Sequence, residues 1–178
     1  MRRIEIGFVL TCIVGLVACA SDPRLDVSSS EEARTARTLL QEAAAEGPVL
    51  LDTNQPPLPL TTEEVGSLAA EGIQGLSVPF TTARSEAGDP GRRLVLRFVD
   101  KAVLVDIQPC AAPKEMPAPE LQFLGLAAAF CEGRTRIAEV AGPSGGASPE
   151  EARRLVWRAT GQLFPDDYEQ SYGLRRLF

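Results

Sequence analysis

Leu94-Val95-Leu96-Arg97-Phe98-Val99 is the stretch on which the reading of this chain turns. Side chains alternate across a strand, so Leu94, Leu96 and Phe98 share one face and Val95, Arg97 and Val99 the other. Gly88-Asp89-Pro90-Gly91 just before it is a strong turn signal and predicts an exposed loop. Asp89 and Glu86 could be read as cation ligands, but the spaced acidic run of a calcium loop is absent and a solvated turn is the better reading. On the far side, Asp100-Lys101 allows a tight reversal into Val103-Leu104-Val105-Asp106-Ile107. The two runs predict a β-hairpin ending near Cys110.

Toward the C-terminus, Ala111 to Pro119 holds three prolines and reads as a linker. Leu121 to Cys131 suits helix by composition. Glu132-Gly133 and the β-type alternation of Thr135 to Val140 favour a second hairpin instead, with 121–131 as its first strand. Ala141 to Ala147 is a loop that lacks the spacing and the Lys-Ser/Thr ending of a phosphate loop. Ser148-Pro149-Glu150-Glu151 opens a helix: a cap, a proline in the first turn and acids at the positive helix end. That helix is predicted to run to about Phe164, with Ala152, Leu155, Val156, Ala159 and Leu163 as its apolar stripe. Glu150, Arg154 and Arg158 form a charged row. Trp157, Gly161 and Phe164 form a second, smaller apolar patch. The tail from 165 to 178 carries Tyr168, Tyr172 and Phe178. Tyrosine, tryptophan and arginine are favoured at binding hot spots, so Trp157, Tyr168, Tyr172 and Phe178 are the candidate partner surface. The alternative is that these aromatics fold back on Trp157 and complete the core. Asp166-Asp167 reads as solvated rather than as a metal or acid pair.

Toward the N-terminus, Leu76 to Thr81 reads as a strand placed at an edge by Pro79. Thr61 and Glu64 have capping spacing and open a short helix from about Thr62 to Glu71. Gln55-Pro56-Pro57-Leu58-Pro59 is a stiff connector, or an extended ligand for an aromatic groove. Val49-Leu50-Leu51 is a short strand. Ser29 and Glu32 have capping-box spacing for a helix over Glu31 to Glu46, with Ala33, Ala36, Leu40 and Ala43 on one face. Residues 20–30 are polar and without period, and read as a tether.

Before the tether stands Met1 to Cys19. Arg2 and Arg3 precede an apolar run from Ile6 to Ala18, the pattern of a secretory signal. The run is short for a membrane-spanning helix, which needs about 20 apolar residues. It ends Leu16-Val17-Ala18-Cys19, which resembles the lipobox of bacterial lipoproteins. That resemblance covers residues 1 to about 22. It implies cleavage after Ala18 and a diacylglyceryl group on the sulfur of Cys19, giving a lipid anchor in the cell envelope. Ala20, where an aspartate would favour retention in the inner membrane, resembles outer-membrane lipoproteins facing the periplasm. An uncleaved anchor or an ordinary signal is the plainer alternative. With Cys12 removed and Cys19 lipidated, Cys110 and Cys131 are left in an oxidising compartment and are expected to pair in a structural disulfide. A redox-active pair is the other reading, against which stands the absence of C-x-x-C spacing. The mature part resembles small, uncharacterised envelope lipoproteins of Gram-negative bacteria, a likeness that implies no activity, fold or site.

Composition bounds the function. The chain has 178 residues and a formal charge of −6; losing Arg2, Arg3 and Glu5 with residues 1–18 moves it to −7. Such an acidic domain disfavours nucleic acid as a partner. There is no histidine, which removes Ser-His-Asp and Cys-His catalysis and the commonest zinc ligand. No cofactor-binding, metal-binding or catalytic constellation is read. The sequence thus predicts residues 1–18 as signal, 19–30 as lipidated tether and 31–178 as one α+β domain. That domain is expected to be a small antiparallel sheet of four or five strands packed against a C-terminal helix, with one disulfide. The expected role is a non-enzymatic binding or assembly role in the envelope, with the membrane as one partner and an envelope protein as another. The alternative is an envelope enzyme or thiol-redox factor using carboxylates or Cys110 and Cys131.

Overall fold

The computed structural model describes residues 24–111, 115–117 and 119–166. The strand expected at 94–99 runs further, as β4 (Arg92–Asp100), and sits inside a six-stranded sheet. On one side it pairs antiparallel with β5 (Leu124–Glu132), from Arg92 opposite Glu132 to Asp100 opposite Leu124. On the other it pairs parallel with β2 (Val49–Thr53). β5 continues through a tight turn at Gly133 into β6 (Thr135–Pro143). Gly133 has φ +58 and no heavy atom near its missing Cβ, so it is backbone conformation, not crowding, that favours glycine here. Two-residue strands close the edges: β1 (Asp26–Val27) beside β6 and β3 (Phe80–Thr81) beside β2. The order is β1-β6-β5-β4-β2-β3.

The second hairpin and the strand reading of 121–131 hold, with Leu121–Phe123 as a 3₁₀ turn leading in. Three expectations are corrected. The sheet is mixed, not antiparallel. Its helix α2 (Thr62–Gly72) lies between β2 and β3, and a helical crossover joins parallel strands where a short turn cannot. The hairpin from 94–99 into 103–107 does not form either. Both edges of β4 are taken by β5 and β2. Asp100 accepts a bond from the Ala102 amide at 2.9 Å and starts a 3₁₀ turn, Lys101–Val103, that carries the chain off the ladder. The third concerns the part of the expected tether that lies within the described residues, 24–30. Asp26 and Val27 are strand, Ser28 bonds Glu139 through its amide (2.9 Å) and hydroxyl (2.7 Å), and Leu25 packs on the core. A two-residue strand has no period by which sequence could reveal it.

Three helices cover one face of the sheet. α1 (Ser30–Glu46) starts at the expected capping box. The Ser29 amide, then its hydroxyl, donate to the Glu32 carboxylate and hold it below the usual carboxylate range. Ala33, Ala36, Leu40 and Ala43 are buried as expected. Thr61 caps α2 through the Glu64 amide, and Ser148 caps α3 (Pro149–Leu163) through that of Glu151. The expected stripe of α3 is buried, and with it Thr160. These helices meet Leu94, Leu96, Phe98, Leu124, Leu126 and Phe130 in one apolar core. Phe164, expected on a second patch with Trp157 and Gly161, also belongs to that core. It is 1 % exposed and meets Phe130 edge-on with ring centroids 5.5 Å apart.

Among the described residues, no α-helix lies on the opposite face. Val95, Ala129, Cys131 and Cys110 form a small second cluster under the β4–β5 connection. The Cys110–Cys131 disulfide, with Cα atoms 5.9 Å apart, staples that connection to β5.

Candidate interaction surface

Of the aromatic residues read as a partner surface, Trp157 is described; Tyr168, Tyr172 and Phe178 lie outside the described residues, as does Cys19. Trp157 projects from α3 and is 41 % exposed. It lines a groove of about 570 Å³ together with Val27, Gly72, Gly161, Phe164 and Asp166.

The groove exists because two helices cross without side chains between them. A Cβ at Gly72 would overlap Thr160 Oγ1 and the Trp157 carbonyl, and one at Gly161 would lie 3.1 Å from the Gly72 carbonyl. α2 therefore ends with its backbone on α3 and covers only part of the indole. Arg37 of α1 fixes the ends of both helices. It donates to the Gln74 carbonyl at 2.7 Å and the Phe164 carbonyl at 2.8 Å, oxygens that a helix C-terminus leaves without intrahelical donors. It also stands 3.8 Å from Asp166, at the groove's rim. Farther along, Arg153 of α3 bonds Glu64 of α2 at 2.6 Å, and that carboxylate raises the arginine's pKa. The walls are thus held by glycine contact, an arginine clamp and an interhelical ion pair, while the indole is left half open.

A second polar grouping, missed at the sequence level, lies on the helix-free face. Arg97 is 2 % exposed. Its Nη1 donates to the Asp52 carbonyl at 2.8 Å and to Asp52 Oδ1 at 3.1 Å. Arg93 reaches the other carboxylate oxygen at 3.3 Å and donates to the carbonyls of Cys110 (3.1 Å) and Gly133 (2.5 Å). Asn54 beside them bonds both the carbonyl and the amide of Phe98 at 2.8 Å, closing β2 onto β4. The signal was present: a single arginine inside an otherwise apolar strand. Its partner Asp52 could not be found without knowing that β2 and β4 are neighbours.

Both cysteines are buried, Cys131 completely. The turn at 86–91 is closed on itself: Asp89 accepts from the Gly91 amide at 2.8 Å, and Glu86 accepts from Thr81 at 2.9 Å. No group of three or more histidine, cysteine, aspartate or glutamate residues able to hold a metal occurs among the described residues. No helix among them is long and apolar enough to cross a membrane. No family model, no curated protein and no solved structure matches the chain.

Proposed function

We propose that this chain is a lipoprotein of the bacterial cell envelope, held through lipid on Cys19 at the outer membrane's periplasmic side. Its folded domain binds or scaffolds another envelope component without catalysing a reaction. The anchor rests on Leu16-Val17-Ala18-Cys19 after a basic and apolar leader. The single observation that supports binding is the half-open indole of Trp157 in a rigid-walled groove. An exposed tryptophan beside a cavity is the residue type that dominates interface energetics.

The test has two arms. Palmitate labelling and membrane fractionation of the wild type should show lipid and membrane association, and Cys19→Ser should abolish both. Chemical cross-linking in intact envelopes should then recover a defined partner, with Trp157→Ala reducing that recovery by roughly tenfold, the loss expected for one hot-spot side chain. Unfolding of Trp157→Ala should move little, because a half-exposed side chain contributes little to folding. Equal recovery with and without the indole would remove the groove from the account.

A further inference from the structure

We infer that one end of the sheet is a lipid-contacting surface, so that the domain lies against the membrane rather than standing off it. The inference rests on the anchoring reading for its orientation, but its evidence is the distribution of exposed apolar side chains.

Six large apolar residues are exposed among the described residues: Val27, Leu58, Val103, Val105, Phe123 and Trp157. Four of them lie on connections that leave the same end of the sheet. β4 ends there at Asp100, opposite the start of β5 at Leu124. The connection between them carries Val103 (46 % exposed), Val105 (88 %) and Phe123 (43 %). β2 runs parallel to β4 toward the same end and stops opposite Leu96, four residues short of Asp100, with the Asn54 side chain bonding the backbone of Phe98 just beyond. The connection that follows carries Leu58, 78 % exposed. Val27 stands further in, opposite Val140 in the edge strand β1, and belongs as much to the Trp157 groove as to this end. Trp157 belongs to the α2–α3 groove, which Val27 also lines.

These residues are held out and not left loose. Leu104 seats on Gly125, where a Cβ would overlap its side chain, so the flanking Val103 and Val105 are turned away from the sheet. Lys101 lies 5.8 Å from the Phe123 ring centroid and bonds the Gln122 carbonyl at 3.4 Å. The two 3₁₀ turns are thereby joined side by side.

The described chain begins at this same end. Leu25 packs on Gly142 with the Arg24 carbonyl beside it, so the N-terminal segment arrives at the finish of β6. Asp26 lines a groove with Leu104, Val105 and Ile107. Cys19 stands seven residues before Asp26, which is at most roughly 25 Å of extended chain. A lipid on Cys19 therefore keeps this end within reach of the bilayer. Asp100, Asp106 and Glu120 are exposed nearby, against Lys101 and Arg24. The contact is accordingly apolar, and a negatively charged membrane surface weakens it.

The full lipidated chain, reconstituted in phosphatidylcholine vesicles, tests this by fluorescence. Trp157 is the one tryptophan in the sequence. In a Trp157→Phe background, Val105→Trp puts a reporter at the proposed contact, and Arg134→Trp, on the β5–β6 turn, puts one at the opposite end. Brominated acyl chains should quench the indole at position 105 roughly threefold more than the one at 134, as for a side chain buried about 5–10 Å into the interface. Adding phosphatidylglycerol should reduce that difference. Equal quenching at both positions, with the chain still floating with the vesicles through Cys19, overturns the inference and leaves the anchor standing. A Cys19→Ser chain that no longer floats, yet is quenched selectively at 105 when vesicles are in excess, supports the contact independently of lipidation. A blue shift at 105 that depends on protein concentration, without quenching by brominated lipid, assigns the patch to a second copy of the chain and overturns it.

Discussion

The two faces of the sheet solve the same problem by different means. The helical face buries Leu94, Leu96, Phe98, Leu124, Leu126 and Phe130 beneath three capped helices. The opposite face is covered by a connection whose described residues form two 3₁₀ turns and otherwise no regular element. Under that cover lie a four-residue apolar cluster and, beside it, Arg97 against Asp52. Helices bring their own hydrogen bonds and an apolar stripe, so burial suffices to hold them. An irregular connection brings neither, and here it is held by a covalent link, by Arg93 on the Cys110 carbonyl and by Leu104 on Gly125. One face is stabilised by area, the other by particular bonds.

The largest effect expected from this contrast is on the helical side. Phe130→Ala removes a fully buried ring from the T-shaped contact with Phe164. The cost should be about 3–5 kcal/mol, transfer energy plus cavity. Urea unfolding should show the midpoint falling with its slope unchanged. A loss under about 1 kcal/mol would mean that the helices close over the gap and that this core is not tightly packed.

Next in size is the staple. The disulfide spans a sequence separation of 21, for which loop-closure entropy gives about 3 kcal/mol. Cys110→Ala with Cys131→Ala should lower global stability by that order. Hydrogen exchange should sharpen the comparison. Amides of 101–111 should lose protection first, and those of α1 and α3 should keep theirs relative to global unfolding. If the helices lose protection together with the connection, the two faces are one cooperative unit and the contrast fails.

The same contrast explains what sequence could reveal. The helices were legible from Ser29, Thr61 and Ser148 with acids behind them, because a cap and a 3.6-residue stripe are local facts. The β5–β6 hairpin was legible because Glu132-Gly133 makes its turn locally. The neighbours of β4 were not. Val103 to Ile107 alternates like a strand, yet pairing is decided by which segment competes best for an edge, and that is a property of the whole sheet. The candidate surface divides in the same way. Trp157 stood out as an aromatic away from its helix stripe, but its groove depends on the contact of Gly72 with α3, 85 or more residues apart in the chain. The cluster at the sheet end was invisible, since only topology sends the connections that carry Leu58, Val105 and Phe123 toward one end.

Arg97 supplies the finest test of whether the helix-free face depends on particular bonds. Arg97→Met keeps most of the aliphatic volume and removes the donor from the Asp52 carbonyl and carboxylate. Stranding a buried charge can cost about 3–5 kcal/mol. Here Asp52 is 22 % exposed and keeps Arg93 at 3.3 Å, so the expected loss is smaller, about 2 kcal/mol. Adding Asp52→Asn removes the stranded charge while leaving an acceptor for Arg93. The double variant should therefore recover part of the loss, with a coupling of at least about 0.5 kcal/mol in a double-mutant cycle. Strict additivity would show that Arg97 acts through its methylenes alone. The helix-free face would then be held by burial after all, and the difference between the faces would reduce to one disulfide.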